Sequence, residues 1–338
     1  MPHERSVATM LLLVGDIGGT KTELALAAVA AERIELRAPQ RYASHEHAGL
    51  EEIAIAYLAT VDARPADLAG AAFAVAGPVL GGCCQTTNLP WEIDAQALVR
   101  ATGLNAVRLL NDLEAIAWSV AALDATQLAT LHPGTGAMPG NATVIAPGTG
   151  LGQAGLFWTG SEHLPFATEG GHTDFAPSDA LEFALLQYLQ ERYGRVSWER
   201  VVSGLGIADL YGFFAQRYRI EHQPPLRAAL AGAGDVAATV AQLAADEACP
   251  ACRDTMTLFA QLLGREAGNC ALKHLARAGV YIGGGIAPKN LALLQAGGFM
   301  RGFLDKGRMR PLLDAMPVRV ILEQRAPLLG AARFLARG

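Results

Sequence analysis

Residues Gly15 to Thr22 read G-D-I-G-G-T-K-T and stand between an apolar run, Met10 to Val14, and an alternating one, Glu23 to Val29. An apolar run that stops at glycines and resumes with period two reads as a strand, a tight turn and a second strand. Gly15, Gly18 and Gly19 are expected to take positive φ and aim backbone N–H groups at one point, which makes an anion-binding nest. Asp16 stands in the same turn. A carboxylate beside a phosphate is repulsive unless a cation lies between them, so the stretch implies a magnesium nucleotide.

The remainder of the chain must supply the surroundings such a turn needs. At 338 residues it exceeds one ordinary core, and two domains are expected. Hydrophobic residues make up 51% and charged residues 17%, enough for a large interior, yet no apolar stretch is long enough to span a bilayer uninterrupted. A net charge of -5 without a basic cluster argues against nucleic acid and anionic membrane as partners and for small molecules. The first ten residues lack the apolar core and cleavage site of a signal peptide, so a cytoplasmic location is expected. Five cysteines in no framework spacing read as reduced thiols, and Cys249-Pro-Ala-Cys252, with no second ligand pair, reads as two thiols at a helix start.

Strand signals follow at Ile34 to Tyr42, Gly70 to Ala76 and Val107 to Leu110, with helices over about Leu50 to Val61, from about Asp94, and over Leu113 to Leu123. After a Gly/Pro-bearing link, Pro133 to Gly140, the pattern restarts. Ala142 to Ala146, the turn Pro147 to Gly152 (P-G-T-G-L-G) and Gln153 to Trp158 repeat the strand, glycine turn and strand of the opening, as in a duplicated α/β module. Gly150 to Gly155 also fits G-x-G-x-x-G, but the residues after it are strand-like and no helix follows, which excludes a dinucleotide fingerprint. No Walker loop occurs. Helices are expected over Asp179 to Tyr193, Leu205 to Tyr218, Asp235 to Glu247 and about Asp254 to Ala278. A strand, Val280 to Ile282, then enters a third glycine turn at Gly283, Gly284 and Gly285, and Pro317 to Leu322 and Leu328 to Ala336 read as the last strand and helix.

Four further motifs occur in order: T-N-x-x-W at Thr87 to Trp91, N-D at Asn111-Asp112, E-G-G-H-x-D-F-A-P at Glu169 to Pro177, and E-R-V-x-S-G at Glu199 to Gly204. With the three glycine turns, the chain resembles the sugar kinase, actin and heat-shock chaperone ATPase superfamily, and most closely the bacterial ATP-dependent glucokinases, from about Leu12 to Gly330. The resemblance implies a two-domain actin-like ATPase fold, a duplicated ribonuclease H-like α/β architecture, with nucleotide and sugar in the cleft. The smaller domain is expected to hold 1–111 and 325–338, and the larger 112–324. It implies phosphorylation of glucose to glucose 6-phosphate by ATP with Mg2+, in a homodimer.

Residue by residue, the resemblance makes Asp112 the general base, at the end of a buried strand and the start of a helix, where it also fits an N-cap. It makes Asn88, Asn111, Asp112, Glu169, His172 and Glu199 the sugar contacts, amides and carboxylates suited to vicinal hydroxyls. Glu199 also fits a solvated helix residue and His172 a satisfied loop histidine. Gly15, Asp16, Gly18, Gly19 and Thr20 of the first turn, Gly148, Thr149 and Gly150 of the second and Gly283, Gly284 and Gly285 of the third would hold the nucleotide, with Asp16 on the magnesium side and no residue assigned as a direct metal ligand. Lys21 departs from close relatives and resembles instead the zinc-containing repressor, open reading frame and kinase family, whose cysteine-rich motif is absent; Gly81-Gly82-Cys83-Cys84 departs as well. Two rivals accompany this reading. One is a kinase for another hexose. The other is a sugar-binding regulator, although the residues before the first strand are too few for a DNA-binding helix pair.

Overall fold

The computed structural model describes residues 9–31, 33–86, 89–136, 138–246 and 249–337. The chain divides into two compact units, one of Met1–Ala125 with Glu323–Gly338 and one of Thr126–Leu322. The division falls after Ala125 and keeps Asp112 in the first unit, because the helix that begins at Asp112 packs along the C-terminal helix.

In the first unit, β1 (Met10–Ile17), β2 (Lys21–Ala30) and β3 (Arg33–Ala43) form an antiparallel meander. Helix α1 (Leu50–Thr60) leads to β4 (Gly70–Val75), and a two-stranded ribbon, β5 (Cys83–Gln85) with β6 (Glu92–Asp94), leads to α2 (Ala95–Thr102), β7 (Val107–Asn111) and α3 (Asp112–Ser119). The sheet order is β3-β2-β1-β4-β7, with β4 parallel to both β1 and β7. Period two decides the layering. Leu13 and Ile17 of β1 join Phe73, Ile53, Tyr57 and Leu98 in one core, whereas Leu12 and Val14 join Ala72, Ala74, Ala115 and Leu328 in the other. The C-terminal helix Ala326–Arg337 thus covers a face of the first sheet.

The second unit repeats the plan. Strand β8 (Leu128–His132) precedes β9 (Ala142–Pro147), β10 (Leu151–Trp158) and β11 (His163–Thr168). Helices α4 (Ala180–Tyr193), α5 (Gly204–Tyr218), α6 (Pro224–Ala228), α7 (Val236–Ala245) and α8 (Pro250–His274) come next, then β12 (Gly279–Ile282) and β13 (Val318–Ile321). The order is β11-β10-β9-β12-β13-β8. Without β8, which adds antiparallel to β13, it has the connectivity of the first sheet, so the duplication read from two glycine turns is a duplication of whole sheets. Both units are mixed α/β.

Helix α8 starts earlier than the periodicity suggested. Pro250 occupies its first turn, where a missing N–H costs nothing, and the Cys249 thiol accepts from the Cys252 N–H at 3.3 Å. The C-x-x-C thiols are therefore a helix start, and all five cysteines are free. Glu247, the expected end of α7, lies outside the described residues. Among the described residues no helix is long and apolar enough to cross a membrane.

Gly330 of the C-terminal helix lies against the Ala115 carbonyl of α3 so closely that a Cβ there would overlap it. Gly330→Ala is expected to cost about 2 kcal/mol through overpacking. A denaturant midpoint equal to the parent's would show that this contact does not dock the helix.

Candidate active site

Parallel strands end together, and their C-terminal ends are where α/β sheets bind ligands. In the first unit Ile17 pairs with Val75 and Val75 with Asn111, so Asp16 and Asn111-Asp112 lie on one sheet edge. Strands β1 and β7 flank β4, which separates them by about 10 Å at the usual interstrand spacing. Asp16 is half-buried. Loss of hydration raises its pKa from 3.8 to about 6, against the pull of the Lys21 charge. Lys21 is exposed, and this electrostatic hold on Asp16 is what it adds to the turn.

The glycines of the first turn serve differently from the expectation. None of Gly15, Gly18 and Gly19 has positive φ. Gly15 lies within β1, where a Cβ would come within 2.6 Å of the Leu24 and Phe73 side chains, so its small size is a packing requirement. The Gly18 N–H donates to the Lys21 carbonyl at 2.9 Å and is spent inside the turn. Sequence reading missed Ser44, which is fully buried: its hydroxyl donates to the Gly18 carbonyl at 2.8 Å, and its N–H to the Thr20 carbonyl at 3.2 Å. A partner this far along the chain leaves no local signal.

Asn111 and Asp112 exchange parts of their expected roles. The N-cap of α3 is Asn111, whose Oδ1 accepts from the N–H groups of Leu113 and Glu114, at 2.9 and 3.3 Å. Its Nδ2 donates to the Gly77 carbonyl at 3.1 Å, so both ends of the amide are engaged by the protein. Asp112 is the first helical residue, with Oδ1 accepting from the Leu113 N–H at 2.9 Å. Burial, with the Asp112 charge as the smaller cause, pushes the Cys84 thiol up. Asn88, the remaining expected contact of this unit, lies outside the described residues.

The second unit brings its own expected residues together. Glu199 sits in a short 3-10 turn, Trp198–Arg200, and its Oε2 accepts from the Leu151 N–H at 3.0 Å, directly after the second glycine turn. Gly150 leaves the room this needs, since a Cβ there would overlap the carboxylate. His172 is bracketed by two acids, with Nδ1 3.9 Å from Glu199 Oε1 and Nε2 3.7 Å from Glu169 Oε2. Thr173 and Phe175 are stitched to Trp198 and Val196 by backbone bonds of 3.0 Å, and the Arg195 guanidinium donates to the His172 carbonyl at 2.7 Å. Asp174 pairs with Arg195 at 2.7 Å, a supporting position. Glu169 and His172 are exposed and Glu199 is three-quarters buried, so three polar side chains converge on an open, wettable spot.

Turns two and three border one cavity of about 710 Å³. Gly148, Thr149 and Gly285 form part of its wall, with Leu205 and Ala208 of α5, Val236 and Ala241 of α7, and Lys289 and Asn290. At Gly148 and Gly285 a Cβ would stand in open space, so the backbone itself faces the cavity. The Gly148 N–H, however, donates to the Gly150 carbonyl at 2.8 Å and the Gly283 N–H to the Ile145 carbonyl at 2.9 Å. Of the expected nucleotide glycines in these turns, only Gly284 has positive φ, 74°, where it packs on the Pro147 carbonyl. The apolar wall from α5 and α7 was not foreseen, because helix periodicity does not say which face lines a hole. Among the described residues no group of three His, Cys, Asp or Glu side chains is placed to hold a metal ion.

The family model described as Glucokinase matches residues 13–338. A glucokinase of Synechocystis sp. is 38% identical to the chain, over 95% of this chain and 96% of its own. The chain is similar to a crystal structure of glucokinase from an Antarctic psychrotroph, with a TM-score of 0.83 and 31% identity over 97% of this chain and 99% of the other. A ROK family glucokinase from Streptomyces griseus, solved with glucose and AMPPNP, shares the fold at a TM-score of 0.65 and 23% identity, over 97% of this chain and 100% of the other. The two-domain actin-like ATPase fold is common to these proteins and this chain.

The raised pKa of Asp16 has a thermodynamic signature. Between 3.8 and about 6 the native state keeps a proton that the unfolded chain has released, so this group lowers stability as pH rises through that window. Asp16→Asn is expected to gain about 2 kcal/mol on the parent between pH 4 and pH 7. A pH-independent difference in unfolding free energy would show that Asp16 titrates normally.

Proposed function

The chain belongs to the glucokinase family, and on that premise we propose that it transfers the γ-phosphoryl group of ATP to the 6-hydroxyl of glucose, giving glucose 6-phosphate and ADP. One observation carries the reading: the Leu151 N–H holds Glu199 beside the second glycine turn, so the residues suited to sugar hydroxyls adjoin those suited to phosphates. A cavity of about 710 Å³, with apolar walls at one side and bare backbone at Gly148 and Gly285, suits an adenine nucleotide.

Each residue then has a task. Glu169, His172 and Glu199 bind sugar hydroxyls; Asn88 and Asn111 join them in this proposal, Asn111 chiefly by fixing the start of α3. Asp112 takes the proton as the hydroxyl O–H bond breaks, a new O–P bond forms and the bond from phosphorus to ADP oxygen breaks. Gly19, Thr20, Thr149 and Gly150 face the phosphates, and Gly283, Gly284 and Gly285 lie under the adenosine. Asp16 fits the magnesium side, since Mg2+ is commonly held by one or two carboxylates together with substrate phosphates, whose charge it neutralises when bound. Water must be excluded around the sugar, because a water in place of the hydroxyl would hydrolyse ATP.

In this reading the protein works in the cytoplasm, where ATP is supplied, and its free cysteines are compatible with that. It would act on small molecules, without nucleic acid or membrane, as a homodimer. Exposed Phe157, Leu164 and Phe166, on one face of the β10–β11 edge, supply apolar surface for a second copy.

A coupled assay of ATP consumption across a hexose panel tests the whole reading. Glucose is expected to give the highest kcat/KM; a higher value for mannose or fructose would move the substrate, and no consumption with any hexose would leave a sugar-binding protein. Asp112→Asn is expected to lose about 10³-fold in kcat while still binding glucose by calorimetry. Near-parental turnover in that variant would remove Asp112 from the role of base.

A further inference from the structure

Under the Glu169–His172 segment runs a buried polar row that the transfer chemistry does not use. Gln153 of β10 is 2% exposed and Glu266 of α8 is fully buried. The Gln153 Nε2 donates to Glu266 Oε1 at 2.8 Å, and the Asn269 Nδ2 donates to Glu266 Oε2 at 2.8 Å. The Lys306 ammonium donates to Asn269 Oδ1 at 2.7 Å, which carries the row out to a half-buried cation. Burial pushes the Glu266 pKa up, and the bonds from the two amides oppose that push. A polar row in a core built of leucine, phenylalanine and alanine adds no more stability than apolar packing of the same volume would. What it does add is direction, because each amide is turned one way.

At its inner end the row meets the candidate sugar segment. Gly170 lies so close to Gln153 Oε1 that a Cβ would overlap it. The Thr168 hydroxyl donates to the Gln153 carbonyl at 3.1 Å, and the Gly170 N–H donates to that hydroxyl at 3.3 Å. Gly171 rests on the Leu151 carbonyl, again without space for a Cβ. The segment is therefore seated on two residues of β10, Leu151 and Gln153, and Leu151 is also the residue that holds Glu199.

We propose that Gln153, oriented by Glu266, is a positioning residue that sets where Glu169 and His172 stand relative to Glu199, and so sets the affinity for the sugar. Apolar replacement would put a flexible thioether in place of the fixed amide under Gly170 and spoil the spacing of the three hydroxyl partners. The nucleotide cavity, whose wall includes neither Gln153 nor Glu266, would be left as it is. The proposal rests on the reading that Glu169, His172 and Glu199 bind the sugar.

The test compares Gln153→Met, which leaves Glu266 Oε1 with only the Cys270 thiol at 3.7 Å, with the double variant Gln153→Met/Glu266→Met, which restores an apolar pair of similar volume. Gly170→Ala strains the same contact from the loop while removing no polar group of the row. Expected are a lower Tm in the single variant and a near-parental Tm in the double. In both core variants and in Gly170→Ala the glucose KM rises about tenfold, while the ATP KM stays within about twofold. A glucose KM restored together with Tm in the double variant would make the row purely structural, and an unchanged glucose KM in Gly170→Ala would overturn the seating. If Glu199→Gln raises the glucose KM and the Gln153 variants do not, only this proposal fails; if Glu199→Gln also leaves it unchanged, the sugar reading itself fails.

Discussion

The bond from the Leu151 N–H to the Glu199 carboxylate is the interaction on which the second unit's site depends. A strand that leaves a glycine turn has an unpaired N–H at its first residue, and a carboxylate is a strong acceptor for it. Because the carboxylate's other oxygen turns toward His172, one side chain joins the turn to the segment that carries Glu169 and His172. Gly150 is what lets the acid approach, so the glycine acts through the space it leaves and not through its φ.

The first unit makes its site by a different device. There the C-terminal ends of β1 and β7 bring Asp16 and Asp112 to one edge, and Asn111 fixes the start of α3 by capping two N–H groups. The two carboxylates are set apart in character by their surroundings. Asp16 is half-buried and loss of hydration holds its pKa up at about 6, whereas Asp112 leads a helix whose N-terminus favours negative charge.

Much of this is legible in the sequence, and what is not has two causes. Strands read from short apolar runs were found within a residue or two, as with Gly70–Val75 and Val107–Asn111, since such a run is a local property. The pairs β5 with β6 and the edge strands β8 and β11 escaped, being short or partly polar. Among site residues, Glu169, His172 and Glu199 were named from motifs and do converge. Ser44, Gln153 and Glu266 were not named, because what makes each matter is a contact with a residue distant in the chain.

The sequence by itself determined that this chain is two copies of one α/β module, each opened by a strand, a glycine turn and a strand, with acids and amides at the ends of particular strands. Those features follow from hydrophobic period and glycine placement, which any stretch of chain carries within itself. Only the tertiary structure decided what the glycines are for: Gly15 yields to Leu24 and Phe73, Gly150 to Glu199, Gly170 to Gln153. A missing side chain has no meaning until the fold supplies the neighbour that takes its place.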